Sequence, residues 1–245
     1  NWTEGENGTL TKLDLNTQRI LSKLADPDGP PMVRKGMVVG NVQSGKTANY
    51  IGLISKAADA GYKVIVVLAG ILDDLRIQTQ IRLEEGFIGK NACNQELVGV
   101  GKRNKKLIEN HTLAFTTRED DFKEKTLKAF GALNFLSFKD TYIFVIKKNT
   151  TILRNLNKWL NKELSNHSIT KANGSLLLID DEADNASINT SGDKTRVTRI
   201  NEGIRDLLVK FEKSSYIGYT ATPFANIFID PDTEEEMEKQ DLFPS

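Results

Sequence analysis

Gly40-Asn41-Val42-Gln43-Ser44-Gly45-Lys46-Thr47 fills every fixed position of the pattern G-x-x-x-x-G-K-[ST]. It stands between an apolar run, Gly36-Met37-Val38-Val39, and a stretch from Ala48 to Ala60 that carries Ile51, Ile54 and Ala58 at helical spacing. The order strand, glycine loop, helix is the one a phosphate-binding loop requires. Gly40 and Gly45 let the backbone turn closely enough to aim its N–H groups, with those of Asn41, Gln43 and Ser44, at phosphate oxygens, and the following helix adds its positive end. Lys46 is placed to reach the β- and γ-phosphates and Thr47 to offer a hydroxyl to Mg²⁺, so the expected cofactors are ATP and Mg²⁺.

Working outward, the chain alternates strands and helices. An N-terminal helix is predicted from Asp14 to Leu24, closed by Asp26-Pro27-Asp28-Gly29-Pro30-Pro31. Lys63 to Leu68 reads as a strand buried on both faces, followed by a helix over Leu72 to Glu84. Gly86 to Lys139 reads as an inserted region with a basic cluster, Lys102-Arg103-Asn104-Lys105-Lys106, a strand end near Ala114 to Thr117 and a helix over Asp120 to Phe130. Strand Tyr142 to Ile146, helix Thr150 to Leu164, strand Ser175 to Ile179, helix Arg199 to Phe211 and strand Ser215 to Tyr219 complete the series. The expected fold is therefore α/β, a doubly wound and mostly parallel sheet, which binds ligands at the carboxyl ends of its strands.

Composition narrows the partners. The chain has 245 residues with 33 basic and 33 acidic side chains, so net charge gives no argument for a polyanionic partner. Cys93 is its only cysteine and His111 and His167 its only histidines, which excludes an intramolecular disulfide and a cysteine-rich or multi-histidine metal centre and fits a reducing cytoplasm. No apolar run approaches the roughly 20 residues of a spanning helix. The start at Asn1-Trp2-Thr3-Glu4 and the end at Phe243-Pro244-Ser245 lead us to expect a piece of a longer protein, organised as a helix and Pro-rich linker (1–31), an ATPase lobe (32–230) and an acidic tail (231–245).

The second half of a triphosphatase site follows the strand Leu176 to Ile179, as Asp180-Asp181-Glu182-Ala183-Asp184. One carboxylate at a strand end can meet the Mg²⁺ held by Thr47, and a neighbour can deprotonate the attacking water. On spacing alone either aspartate serves the metal. A third element, Tyr219-Thr220-Ala221-Thr222-Pro223, again sits past an apolar strand, where the hydroxyls of Thr220 and Thr222 can couple nucleotide state to a docked partner.

In this order the three elements resemble motifs I, II and III of superfamily-two helicases, which implies a RecA-like P-loop NTPase lobe. The tetrad Asp181 to Asp184 then gives Asp181 the metal and Glu182 the water, with Asp180 supporting them. The fuller strings Val38 to Tyr50, Lys56 to Tyr62, Leu75 to Gln80, Asp180 to Asn189 and Gly218 to Asn226 look like the Z-one domain family, whose members carry an endonuclease label and tend to be encoded with bacterial restriction and phage-defence genes. The resemblance implies DNA as the partner, with RNA as the alternative, and other restriction or defence proteins alongside. It also implies that Arg76, Gln78, Lys147, Lys148 and Asn149 occupy the positions where helicases grip a nucleic-acid backbone. The second lobe that supplies arginine fingers in helicases is absent from the sequence, nothing in the spacing makes Arg196, Arg199 or Arg205 a finger, and no nuclease core of the PD-(D/E)xK kind is legible.

Overall fold

The computed structural model describes residues 4–40, 45–103, 112–122, 135–183 and 194–221. Helix α1 (Glu4–Leu21) leads into the edge strand β1 (Met32–Val39), and α2 (Lys46–Asp59) follows the glycine loop. Strand β2 (Val64–Ala69) and α3 (Asp73–Leu83) come next, and α3 runs on as a π turn over Glu84–Ile88. Short α4 (Gly99–Arg103) and β3 (Thr112–Ala114) belong to the inserted region. Then come β4 (Thr141–Ile146), α5 (Thr150–Asn166), β5 (Ala172–Asp181), α6 (Lys194–Leu208) and β6 (Phe211–Thr220).

The six strands form one sheet in the order β1-β6-β5-β2-β4-β3, every pair parallel. This is an α/β fold, a parallel sheet with a packed core on each face. Because side chains alternate along a strand, the uninterrupted apolar run of β2 serves two cores. Val64, Val66 and Leu68 face an aromatic-rich layer with Phe115, Phe144 and Trp159 under α5 and α6. Ile65, Val67 and Ala69 face the opposite layer under α2 and α3, with Tyr50, Leu53 and Ile54. All strands being parallel, their carboxyl ends share one edge of the sheet, and there Gly40, Gly70, Lys147, Asp181 and Ala221 leave it.

Several boundaries differ from the sequence reading. Helix α1 starts at Glu4 rather than near Asp14, through polar turns that carry no apolar periodicity to announce them. Strand β1 starts at Met32 rather than at the apolar run from Gly36, and it leaves Val33 and Val39 exposed because at the sheet edge it pairs with β6 alone. Helix α6 ends at Leu208, since Phe211 already opens β6 and is buried in the sheet core. Asp120, Asp121 and Phe122 are not helical, and the rest of the helix expected there lies outside the described residues, as does the acidic tail. Among the described residues no helix is long and apolar enough to cross a membrane.

Candidate nucleotide site

Gly45 caps α2 with φ +76, a left-handed conformation that a side chain rarely adopts, and this reverses the chain so that Lys46 and Thr47 begin the helix at the sheet edge. The loop's entry is fixed too: Gly40 N–H donates to Thr220 O at 3.0 Å, and Lys46 Nζ reaches back to Gly40 O at 3.3 Å. Asn41, Gln43 and Ser44 lie outside the described residues, as do Thr222 and Asp184.

Across the sheet edge, Asp181 is the last residue of β5. Its Oδ1 accepts the Glu182 N–H at 3.1 Å, and its Oδ2 lies 3.4 Å from the Tyr50 hydroxyl. Tyr50 also interacts with the Thr47 side chain, so this phenol brings Thr47 and Asp181 to the same place. Burial, reinforced by the neighbouring Glu182 charge, raises the Asp181 pKa, against the pull of Lys148 and the two hydrogen bonds. Such a carboxylate is under-compensated and favours a cation beside it. Glu182 itself has φ +54, a left-handed backbone that costs a non-glycine residue about 1–2 kcal/mol. The Ala183 N–H that follows donates to Tyr219 O at 2.9 Å, tying the acid turn to β6.

Lys46, Thr47, Asp181 and Glu182 border one cleft of about 1020 Å³ at the carboxyl edge, with Gly70, Gln78, Arg82 and Arg103 also on its walls. That space suits a nucleoside triphosphate, since ligand pockets run to about 1,000 Å³. The residues present also fit the group. A left-handed glycine opens the cradle, an ammonium closes it, and a hydroxyl and a carboxylate meet through Tyr50 as oxygen donors for a hard cation.

Four of the residues proposed for nucleic acid have partners within the protein. Arg76 is buried, and its guanidinium donates to Thr117 O and Arg118 O, both at 2.8 Å, which pins the inserted region to α3. Lys148 is fully buried, with Nζ 2.7 Å from Asp180 Oδ1. Both cations are thus buried against the protein in this structure, where the resemblance implies a nucleic-acid contact. Asn149 caps α5, accepting from Thr151 N–H at 2.8 Å. Lys147 pairs with exposed Asp73 at 2.8 Å, and Gln78 faces the nucleotide cleft. Thr220 is buried and offers its carbonyl to the glycine loop. Asp180 sits in the sheet core, accepting from Tyr216 OH at 2.8 Å.

Four residues escaped the sequence reading. Arg82 donates to Thr47 Oγ1 at 3.0 Å, and Arg103 lines the cleft from α4. Glu85 and Gly86 reach the cleft from the π turn, whose extra residue no local pattern announces. Helical spacing contained part of the signal, since Gln78 and Arg82 lie four residues apart on one face of α3. Among the described residues no group of three or more His, Cys, Asp or Glu side chains is arranged to hold a metal.

No family model matches the chain, and no curated protein matches it. Among solved structures it is similar to one described as Mss116p (NTE and C-tail double deletion) bound to ssRNA and AMP-PNP, at 13% identity and a TM-score of 0.46. The similarity covers 96% of this chain and 42% of that one, so the chain spans less than half the length of its neighbour.

Proposed function

We propose that the chain is an ATP-binding and ATP-hydrolysing, helicase-like motor lobe that acts on nucleic acid, in the restriction or phage-defence setting its Z-one resemblance implies. The observation that carries this reading is the gathering of Lys46, Thr47, Asp181 and Glu182 around one cleft at the carboxyl edge of a parallel sheet. Lys46 and the loop N–H groups bind the triphosphate, and Thr47 and Asp181 would hold Mg²⁺, which supplies charge neutralisation on the phosphate oxygens. Glu182 takes a proton from the water that attacks the γ-phosphorus as the bond to ADP breaks. Of the residues the resemblance implies, exposed Gln78 and partly buried Lys147 are left for a nucleic-acid backbone.

A second reading, an ATPase regulated by partner proteins without nucleic acid, is favoured by one observation: Arg76 and Lys148 spend their charges inside the fold. Endonuclease activity has no described residue assigned to it. ATP turnover, measured with and without single- and double-stranded DNA and RNA beside a Lys46→Ala control, separates the readings. Nucleic-acid stimulation that vanishes in the control supports the motor. Turnover indifferent to every nucleic acid favours the partner-regulated ATPase, and turnover that survives Lys46→Ala rejects the site.

A further inference from the structure

We propose that Lys148 is a positioning residue for hydrolysis, a buried ammonium that fixes the backbone of the acid turn and so aims Glu182 into the cleft. The inference rests on the ATPase reading given above and assigns a role to a side chain that the chemistry itself does not touch. The ammonium of Lys148 donates to two backbone carbonyls and pairs by charge with one buried carboxylate. Asp180 Oδ1 lies 2.7 Å from Nζ, Asp181 O accepts at 2.9 Å and Glu182 O at 2.5 Å. Lys148 and Asp180 are both wholly buried, and Tyr216 fixes the other oxygen of Asp180.

The geometry explains why such a fixture is needed. Glu182 holds a left-handed backbone that it would leave if unrestrained. One side of the turn is held by the Ala183 N–H on Tyr219 O, and the other by the Lys148 ammonium on two successive carbonyls. Lys148 is itself anchored, because its own N–H donates to Gly70 O at 2.7 Å, on the cleft wall beside the Glu182 carboxylate. A charge in this place secures carbonyl dipoles more firmly than a neutral donor does.

Lys148→Met alone would strand the Asp180 charge in the core, so the test uses the double variant Lys148→Met/Asp180→Asn, which removes both charges together. Two readouts are taken on the full chain. Without nucleotide, the Ala183 amide should exchange with deuterium faster in the double variant, while Leu177 and Ile179 inside β5 keep their protection. With ATP, kcat should fall about a hundredfold, the scale of a misplacement near 1 Å, with ATP affinity within about twofold of the parent, as expected when ground-state binding is spared.

Unchanged exchange at Ala183, or an unchanged kcat, overturns the positioning role, and so does a parallel loss of binding and turnover. A parent chain with no ATP turnover would refute the ATPase reading, while the exchange measurement would still decide the clamp. In the parent, the Lys148 ammonium protons should also give slowly exchanging resonances, and rapid exchange would contradict its burial against the two carbonyls even if the double variant failed to fold.

Discussion

At the scale of single residues, the proposed mechanism divides the site into groups that bind and a group that acts. Glu182→Gln preserves size and the strained backbone but removes the base, so ATP binding should persist while turnover falls by about 10²–10⁴, the usual worth of a general base; normal turnover in this variant would assign the proton transfer elsewhere. Arg82 makes a less obvious prediction. Its guanidinium occupies the Thr47 hydroxyl oxygen that Mg²⁺ would need, and the two cannot share it comfortably. Arg82→Ala should therefore lower the Mg²⁺ concentration for half-maximal nucleotide binding by about fivefold, the equivalent of one hydrogen bond worth about 1 kcal/mol. A Mg²⁺ titration of nucleotide binding in both proteins checks it, and a higher Mg²⁺ requirement would show Arg82 to be an aid rather than a competitor.

Among the elements, the N-terminal segment is held to the sheet by a compact polar lock. The Tyr62 hydroxyl donates to Ala25 O at 2.5 Å and lies 2.9 Å from Ser215 Oγ, which in turn accepts the Ala25 N–H. Burial pushes the Tyr62 pKa from 10.0 up to about 12, so its neutral form is favoured by the fold. Its contribution is complete below the unfolded value of 10.0 and is lost as pH rises towards 12, because the unfolded chain ionises first. Tyr62→Phe should cost about 1–2 kcal/mol near neutrality, and urea midpoints should show the gap between the two proteins narrowing between about pH 10 and 12; a gap that widened would reverse the sign of the coupling. This lock was not legible in the sequence, since Ala25, Tyr62 and Ser215 are brought together only by the tertiary fold. The strands were legible because β2, β4 and β5 are buried on both faces and therefore read as continuous apolar runs. The glycine loop was legible because its chemistry fixes residue types at short range. By contrast, Lys148 reads as one of two adjacent polar lysines, and only the sheet order, which places β2 between β4 and β5, turns it towards Asp180.

For the molecule as a whole, equal numbers of acidic and basic residues mean that any grip on nucleic acid depends on a few local charges rather than on a polycationic surface. Burial decides which of those charges are available. Arg76 spends its guanidinium on Thr117 O and Arg118 O, whereas the Lys147 ammonium remains partly exposed and pairs with Asp73 at the surface, with its backbone N–H on Asp121. An exposed pair of this kind is worth little and exchanges its partner readily, so Lys147 can trade the carboxylate for a phosphate without disturbing the fold. Counterion release makes the difference measurable, because each phosphate neutralised on a single strand contributes about 0.7 to the slope of log K against log salt. Lys147→Ala should reduce that slope by about 0.7 for a single-stranded oligonucleotide. Arg76→Met should destabilise the inserted region and leave the slope unchanged. If the Arg76 variant stayed folded and lost slope while the Lys147 variant did not, the nucleic-acid path would run over the inserted region instead of the β4–α5 turn, and the inward placement of Arg76 would describe only the nucleotide-free protein.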